Sequence, residues 1–161
     1  MVVLRGSKIE LDSIEQFDKI ILSPGPGLPN EHPILSKVLA RYYNKKPILG
    51  ICLGLQAIAE FFNAKLVNLT NVKHGITSNV KHFNNCRLFI DIDENFKIGH
   101  YHSWIVSKIN FPDELTITSV NNEGIITSLS HKKYDIKAIQ FHPESILTEN
   151  GLQLIKNWVL D

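Results

Sequence analysis

The sequence predicts an α/β protein built on a mainly parallel sheet with helices on both faces. Three observations carry that prediction. Apolar runs at residues 19–23 (Lys-Ile-Ile-Leu-Ser) and 47–51 (Pro-Ile-Leu-Gly-Ile) have the character of strands buried on both sides. Each run is followed by apolar residues at helical spacing. Each also ends in a glycine-bearing turn, Ser23-Pro24-Gly25-Pro26-Gly27 after the first and Gly50-Ile51-Cys52-Leu53-Gly54 at the second. Those turns fall at the carboxyl ends of the strands, where open α/β sheets gather their active sites.

In chain order, Val2, Val3 and Leu4 make a short strand candidate, and residues 19–23 form the first buried strand. Ile34, Leu35, Val38 and Leu39 then share one helical face, with Asn44 as a stop. Residues 47–51 give the next strand, and Ala57, Ile58, Phe61 and Phe62 repeat at helical spacing up to Asn63. Beyond residue 64 the texture changes to short β-like segments broken by Asn, Gly and Pro. Residues 115–120, 125–129 and 136–141 read as a meander, with Asn121-Asn122-Glu123-Gly124 as a hairpin turn. Leu152, Ile155 and Val159 lie on one face of a closing helix. With no repeat, low-complexity tract or linker, residues 1–161 read as a single domain.

Composition excludes several classes. A formal net charge of +1 and the lack of a basic run with interleaved aromatics point away from nucleic acid. No apolar run approaches the roughly 18 residues of a membrane span, and the first residues lack the pattern of a signal peptide. The two cysteines, Cys52 and Cys86, form no CxxC pair and no disulfide framework, so a reducing cytoplasm is the expected location.

The chemistry centres on Cys52. A cysteine between two glycines, after an apolar strand and before a helix, fits a sharp turn that pushes one side chain out of the top of a sheet; the serine version is the nucleophile elbow. At a helix N-terminus the orphan N–H groups and the dipole favour an anion, so a stabilised thiolate is expected. A lone cysteine at a helix start is more often a small buried hydrophobe, and the flanking glycines tip the balance. His142 follows an apolar strand and supplies a base, and Glu144, across the stiff Pro143, supplies a carboxylate to orient it. Gly25 and Gly27 can bring backbone N–H groups close to an oxyanion, and the N–H of Leu53 follows the nucleophile directly. His100 and His102 would face the same way on a strand, but no third ligand of suitable spacing accompanies them, so no metal site is expected.

With Ser23-Pro24-Gly25-Pro26-Gly27, Gly50-Ile51-Cys52-Leu53-Gly54-Leu55-Gln56, Tyr101-His102-Ser103 and Gln140-Phe141-His142-Pro143-Glu144-Ser145 all in place, the chain resembles the class I glutamine amidotransferases. Within them it is most similar to the small subunits of anthranilate and aminodeoxychorismate synthases. The resemblance implies a flavodoxin-like, three-layer fold with a mainly parallel central sheet and an added small antiparallel sheet. It implies a triad of Cys52, His142 and Glu144, and glutamine contacts from Gly25, Pro26, Gly27, Leu53, Gln56, Ser103 and Trp104. The implied reaction is hydrolysis of the glutamine side-chain amide through a γ-glutamyl thioester, with ammonia passed to a chorismate-using partner subunit and no cofactor in this one.

The sequence departs from the family pattern at three places. Ile76, in a loop expected over residues 73–78 to face the partner, stands where a Lys is common, and Leu55 replaces a frequent His. The family's first strand and helix, roughly 20 to 25 residues with their loops, have no counterpart before Val2. From this the expectation is a weakened sheet that re-pairs through residues 2–4 or closes through a second copy as a homodimer. A rival reading follows: a catalytically silent chain that only binds or regulates the synthase. A third keeps cysteine hydrolysis but with another γ-glutamyl substrate.

Overall fold

The computed structural model describes residues 1–6, 9–83 and 86–161. Among the described residues, seven strands form one sheet in the order β1-β2-β7-β6-β5-β3-β4. They are β1 (Ile20–Leu22), β2 (Ile48–Ile51), β3 (Leu66–His82), β4 (Asn95–Val106), β5 (Leu115–Asn121), β6 (Ile126–His131) and β7 (Ile136–Ile139). Three helices accompany them: α1 (Pro33–Tyr42), α2 (Leu53–Phe61) and α3 (Gly151–Leu160). β1 pairs with β2, and β2 with β7, in parallel; every other pairing is antiparallel. The α/β class is therefore as expected, but the antiparallel strands extend the parallel ones in a single mixed sheet.

Alternation along the strands builds two cores. Ile48 of β2 and Ile136 and Ala138 of β7 face α1 and α2, packing with Leu39, Tyr42, Leu55 and Ile58. Leu49, Ile51 and Ile139 face the other way, toward Leu154 and Trp158 of α3. Period-two side-chain direction in strands that are buried throughout accounts for both layers.

Several expectations need correction. Val2, Val3 and Leu4 form no strand; they are exposed and irregular, because an apolar triplet without a hydrogen-bonding neighbour gains nothing from extension. The region after residue 64 holds one 17-residue strand, β3, paired along β4 with register shifts between Asn68 and Lys73 and between His74 and Ile76. The stretch at residues 73–78, expected as a loop, is thus bulged strand. On α3 the buried face is Gly151, Leu154 and Trp158, whereas Leu152 and Val159 point outward. Gly151 decides this: a Cβ there would stand 1.9 Å from the Pro143 carbonyl oxygen, so that edge of the helix must lie against the chain that carries His142.

Candidate active site

β2 runs into α2 through one residue, Cys52, whose φ of 53° and ψ of −101° lie where side-chain-bearing residues are rarely found. The neighbouring glycines make that turn sterically feasible. A Cβ on Gly50 would come within 2.6 Å of the Gly54 carbonyl group, and one on Gly54 within 2.2 Å of the Leu22 carbonyl oxygen at the end of β1. The backbone of the turn therefore seats directly on β1, and the thiol projects at the carboxyl edge of the parallel strands.

Above it lies a cleft of about 200 Å³ lined by Gly25, Pro26, Gly27, Cys52, Gln56, Ser103 and Trp104 of the expected set. Val72, His74, Tyr101 and His102 complete the lining. The Gly25–Gly27 loop is held from outside: Glu31 accepts the Leu28 N–H at 3.1 Å, and the His32 ring nitrogen Nε2 bonds the Pro26 carbonyl at 2.8 Å. Gly27 takes a φ of 75° and leaves no room for a Cβ against the Glu31 carboxylate. Leu53 does not line the cleft; its backbone N–H instead bonds the Cys52 sulfur.

His142 and Glu144 lie outside the lining of the cleft. His142 Nδ1 donates to the Glu144 carboxylate at 2.7 Å, so the neutral ring would carry its lone pair on Nε2. That Nε2 is buried and has no hydrogen-bond partner. The ring packs edge-to-face on Tyr101 at 5.0 Å between centroids, and the Tyr101 hydroxyl is tied to Ser145 at 3.0 Å.

The thiolate expected at Cys52 is disfavoured by its surroundings. Burial pushes the Cys52 thiol up to about 11, and the Glu144 charge adds to this. The Leu53 N–H and the Gln140 side chain pull the other way without prevailing. Desolvation outweighs the helix N-terminus here because Cys52 is only 5% exposed.

Gln56 acts on the protein's own backbone. Its Nε2 donates to the Trp104 carbonyl at 3.1 Å, and the same oxygen accepts from His102 Nδ1 at 3.1 Å. Two donors thus occupy that oxygen. His102 ends a buried chain. Asn121 Nδ2 donates to Ser78 Oγ at 3.4 Å, Ser78 Oγ to His100 Nε2 at 2.6 Å, and His100 Nδ1 to His102 Nε2 at 2.9 Å. Burial holds His100 down to about 4 and His102 down to about 3, so both rings are neutral and the chain runs in one direction. Among the described residues no group of three or more His, Cys, Asp or Glu could hold a metal ion.

Gln140 opens the Gln140-Phe141-His142-Pro143-Glu144-Ser145 motif but is given no role at the site by the sequence, where it is only a polar residue closing the apolar run of residues 136–139. Its carboxamide is fully buried and donates to Cys52 Sγ at 3.6 Å.

Fold and cleft together are those of an α/β enzyme with a cysteine at the sharp turn between strand and helix. The chain belongs to the class I glutamine amidotransferase family, whose profile matches residues 3–161. A Haemophilus influenzae protein provisionally described as an anthranilate synthase component II is 41% identical over 157 residues, 98% of this chain and 81% of the relative. Aminodeoxychorismate synthase component 2 of Klebsiella aerogenes is 38% identical over 161 residues, 99% of this chain and 86% of the relative. In structure, a Thermoplasma acidophilum protein provisionally described as a GMP synthase subunit superimposes with a TM-score of 0.83 at 26% identity, covering 94% of this chain and 75% of that one.

Proposed function

We propose that this chain is the glutaminase subunit of a chorismate-using synthase, releasing ammonia from the side chain of glutamine for a partner subunit. The observation that carries the reading is the strained Cys52 turn facing the Gly25–Gly27 loop across the cleft; outside the lining His142 is bonded to Glu144, whose charge reaches the Cys52 thiol. The names of the relatives, which pair component 2 with anthranilate or aminodeoxychorismate synthesis, support the synthase partner.

In this reading His142 Nε2, free and unprotonated, takes the proton of Cys52. The thiolate attacks the glutamine Cδ, and the N–H groups of Gly27 and Leu53 hold the oxyanion. Collapse of the adduct transfers the proton from His142 to the departing ammonia and leaves a γ-glutamyl thioester. His142 then deprotonates water, which attacks the thioester and frees glutamate and Cys52. Glu144 fixes the tautomer and balances the imidazolium at both stages. Gly25, Pro26, Gln56, Ser103 and Trp104 shape the glutamine site, and the chemistry calls for no cofactor in this subunit. The setting is the cytoplasm, where thiols stay reduced.

The test is ammonia release from glutamine by the chain alone and with a chorismate-using synthase subunit, against Cys52→Ala. Release that needs Cys52 and rises with the partner is expected. Its absence under both conditions, with the complex formed, would sink the proposal in favour of a silent binding subunit.

A further inference from the structure

Two observations around Cys52 remain unused by that mechanism. Gln140 is fully buried, with Nε2 within hydrogen-bonding reach of Sγ, yet its Oε1 is buried without a partner. Native proteins seldom leave a buried carbonyl oxygen unpaired. Furthermore, the sulfur it faces changes its hydrogen-bonding character during the reaction. A thiolate only accepts, whereas a thiol has a proton to donate.

We infer that Gln140 is a positioning residue for the nucleophile: its carboxamide donates through Nε2 to the thiolate and, turned over, accepts the S–H through Oε1. The two ends of a carboxamide are nearly equal in size, so one pocket accommodates both orientations. Gln140 is well placed for the task. It follows β7 directly, its backbone N–H bonds the Thr127 carbonyl at 2.8 Å, and the Cys52 N–H bonds the carbonyl of the preceding Ile139 at 2.8 Å. Nucleophile and amide are thus fixed to the same strand end, and the amide needs only to rotate about its last bond when the proton leaves. The Gln140 bond already pulls against the burial that raises the thiol.

This inference rests on Cys52 being the nucleophile, and it is tested without glutamine. Alkylation of Cys52 by iodoacetamide is followed from pH 7 to 9.5 in the wild-type chain, Gln140→Met and Gln140→Glu, with Cys52→Ala correcting for Cys86. Met keeps the volume and removes the donor; Glu keeps the shape and brings a negative charge. The expected order is wild type, then Met slower by roughly tenfold at each pH, then Glu slower again, because a hydrogen bond to a charged group is lost and then replaced by repulsion. Equal rates in all three, or equal slowing in both variants, would overturn the inference. Should the variants not fold, the side-chain amide signals of Gln140 in the wild-type chain provide the check. They should shift with pH in step with the alkylation rate and stay fixed in Cys52→Ala; signals that stay fixed in the wild type overturn the inference. A chain that alkylates in the expected order but releases no ammonia would leave the inference standing and count against the glutaminase reading instead.

Discussion

Acid should weaken this fold through the buried His100–His102 pair. Burial is the main cause of both depressed values, helped at His100 by Lys73 and at His102 by His100 itself; Glu123, paired with Lys73 at 2.6 Å, opposes this weakly at His100. In the unfolded chain each imidazole binds its proton near pH 6.5, whereas in the fold they wait until about 4 and about 3. Below pH 6.5 the unfolded state therefore binds more protons, so stability falls as the pH drops and levels off only below the folded values. At pH 5 each ring lies about 1.5 units below its unfolded value, so each costs about 2 kcal/mol, and the pair up to about 4 kcal/mol relative to pH 7.5. His131, lowered by partial burial, acts in the same direction, and Glu60, raised by partial burial, acts against it. Urea denaturation followed by tryptophan fluorescence at both pH values measures the difference. His100→Gln keeps a neutral bridge between Ser78 and His102, and it should cut the pH-dependent loss by about half. A loss under about 1 kcal/mol in the wild type, or an imidazole of this pair titrating near 6.5 by NMR, would refute the reasoning.

Two further outcomes follow from the site. Glu144→Gln should lower the rate of ammonia release on the order of a hundredfold or more, since the base loses the anion that fixes its tautomer, while urea stability stays within about 0.5 kcal/mol because Glu144 is 61% exposed; an unchanged rate would remove Glu144 from the mechanism. Gly54→Ala should cost about 3 kcal/mol in urea denaturation, because its Cβ would be driven onto the Leu22 carbonyl oxygen of β1; a loss below about 1 kcal/mol would show that the turn and β1 can separate.

What the sequence made legible depended on burial. β2 and α2 could be read because all four residues of β2 are buried and the turn between the two elements admits only glycine on either side of Cys52. β3 could not: most of its seventeen residues are exposed, so no apolar alternation marks it, and it is a strand because β4 offers it a ladder. The face of α3 was ambiguous for another reason. Leu152, Ile155 and Val159 and the set Gly151, Leu154 and Trp158 are both helical stripes, and the close approach of Gly151 to Pro143 chooses between them. At the site, glycine spacing revealed the sharp Cys52 turn and the Gly25–Gly27 loop, since steric need leaves a residue-type signature. The hydrogen-bond chain through His100 and His102 left none, because it joins β3, β4 and β5 across a register that only the folded sheet defines.

The protonated state of Cys52 sets a condition on any chemistry here. A thiol raised to about 11 leaves about one molecule in ten thousand as thiolate at pH 7. Burial thus disfavours a pre-ionised sulfur, and in the proposed mechanism proton removal by His142 accompanies attack. The parts for that are present but unjoined: a ring nitrogen of His142 that is buried and unpaired, a Glu144 carboxylate holding its far side, and a sulfur bonded instead to Leu53 and Gln140. Entry of a carboxamide substrate would displace water and bring an electrophilic carbon to the sulfur as its proton leaves for His142. The same burial that suppresses the thiolate at rest strengthens each hydrogen bond to it once formed. A resting thiol held mostly in its protonated form is then a consequence of the same burial, and it slows the reaction of Cys52 with other electrophiles at neutral pH.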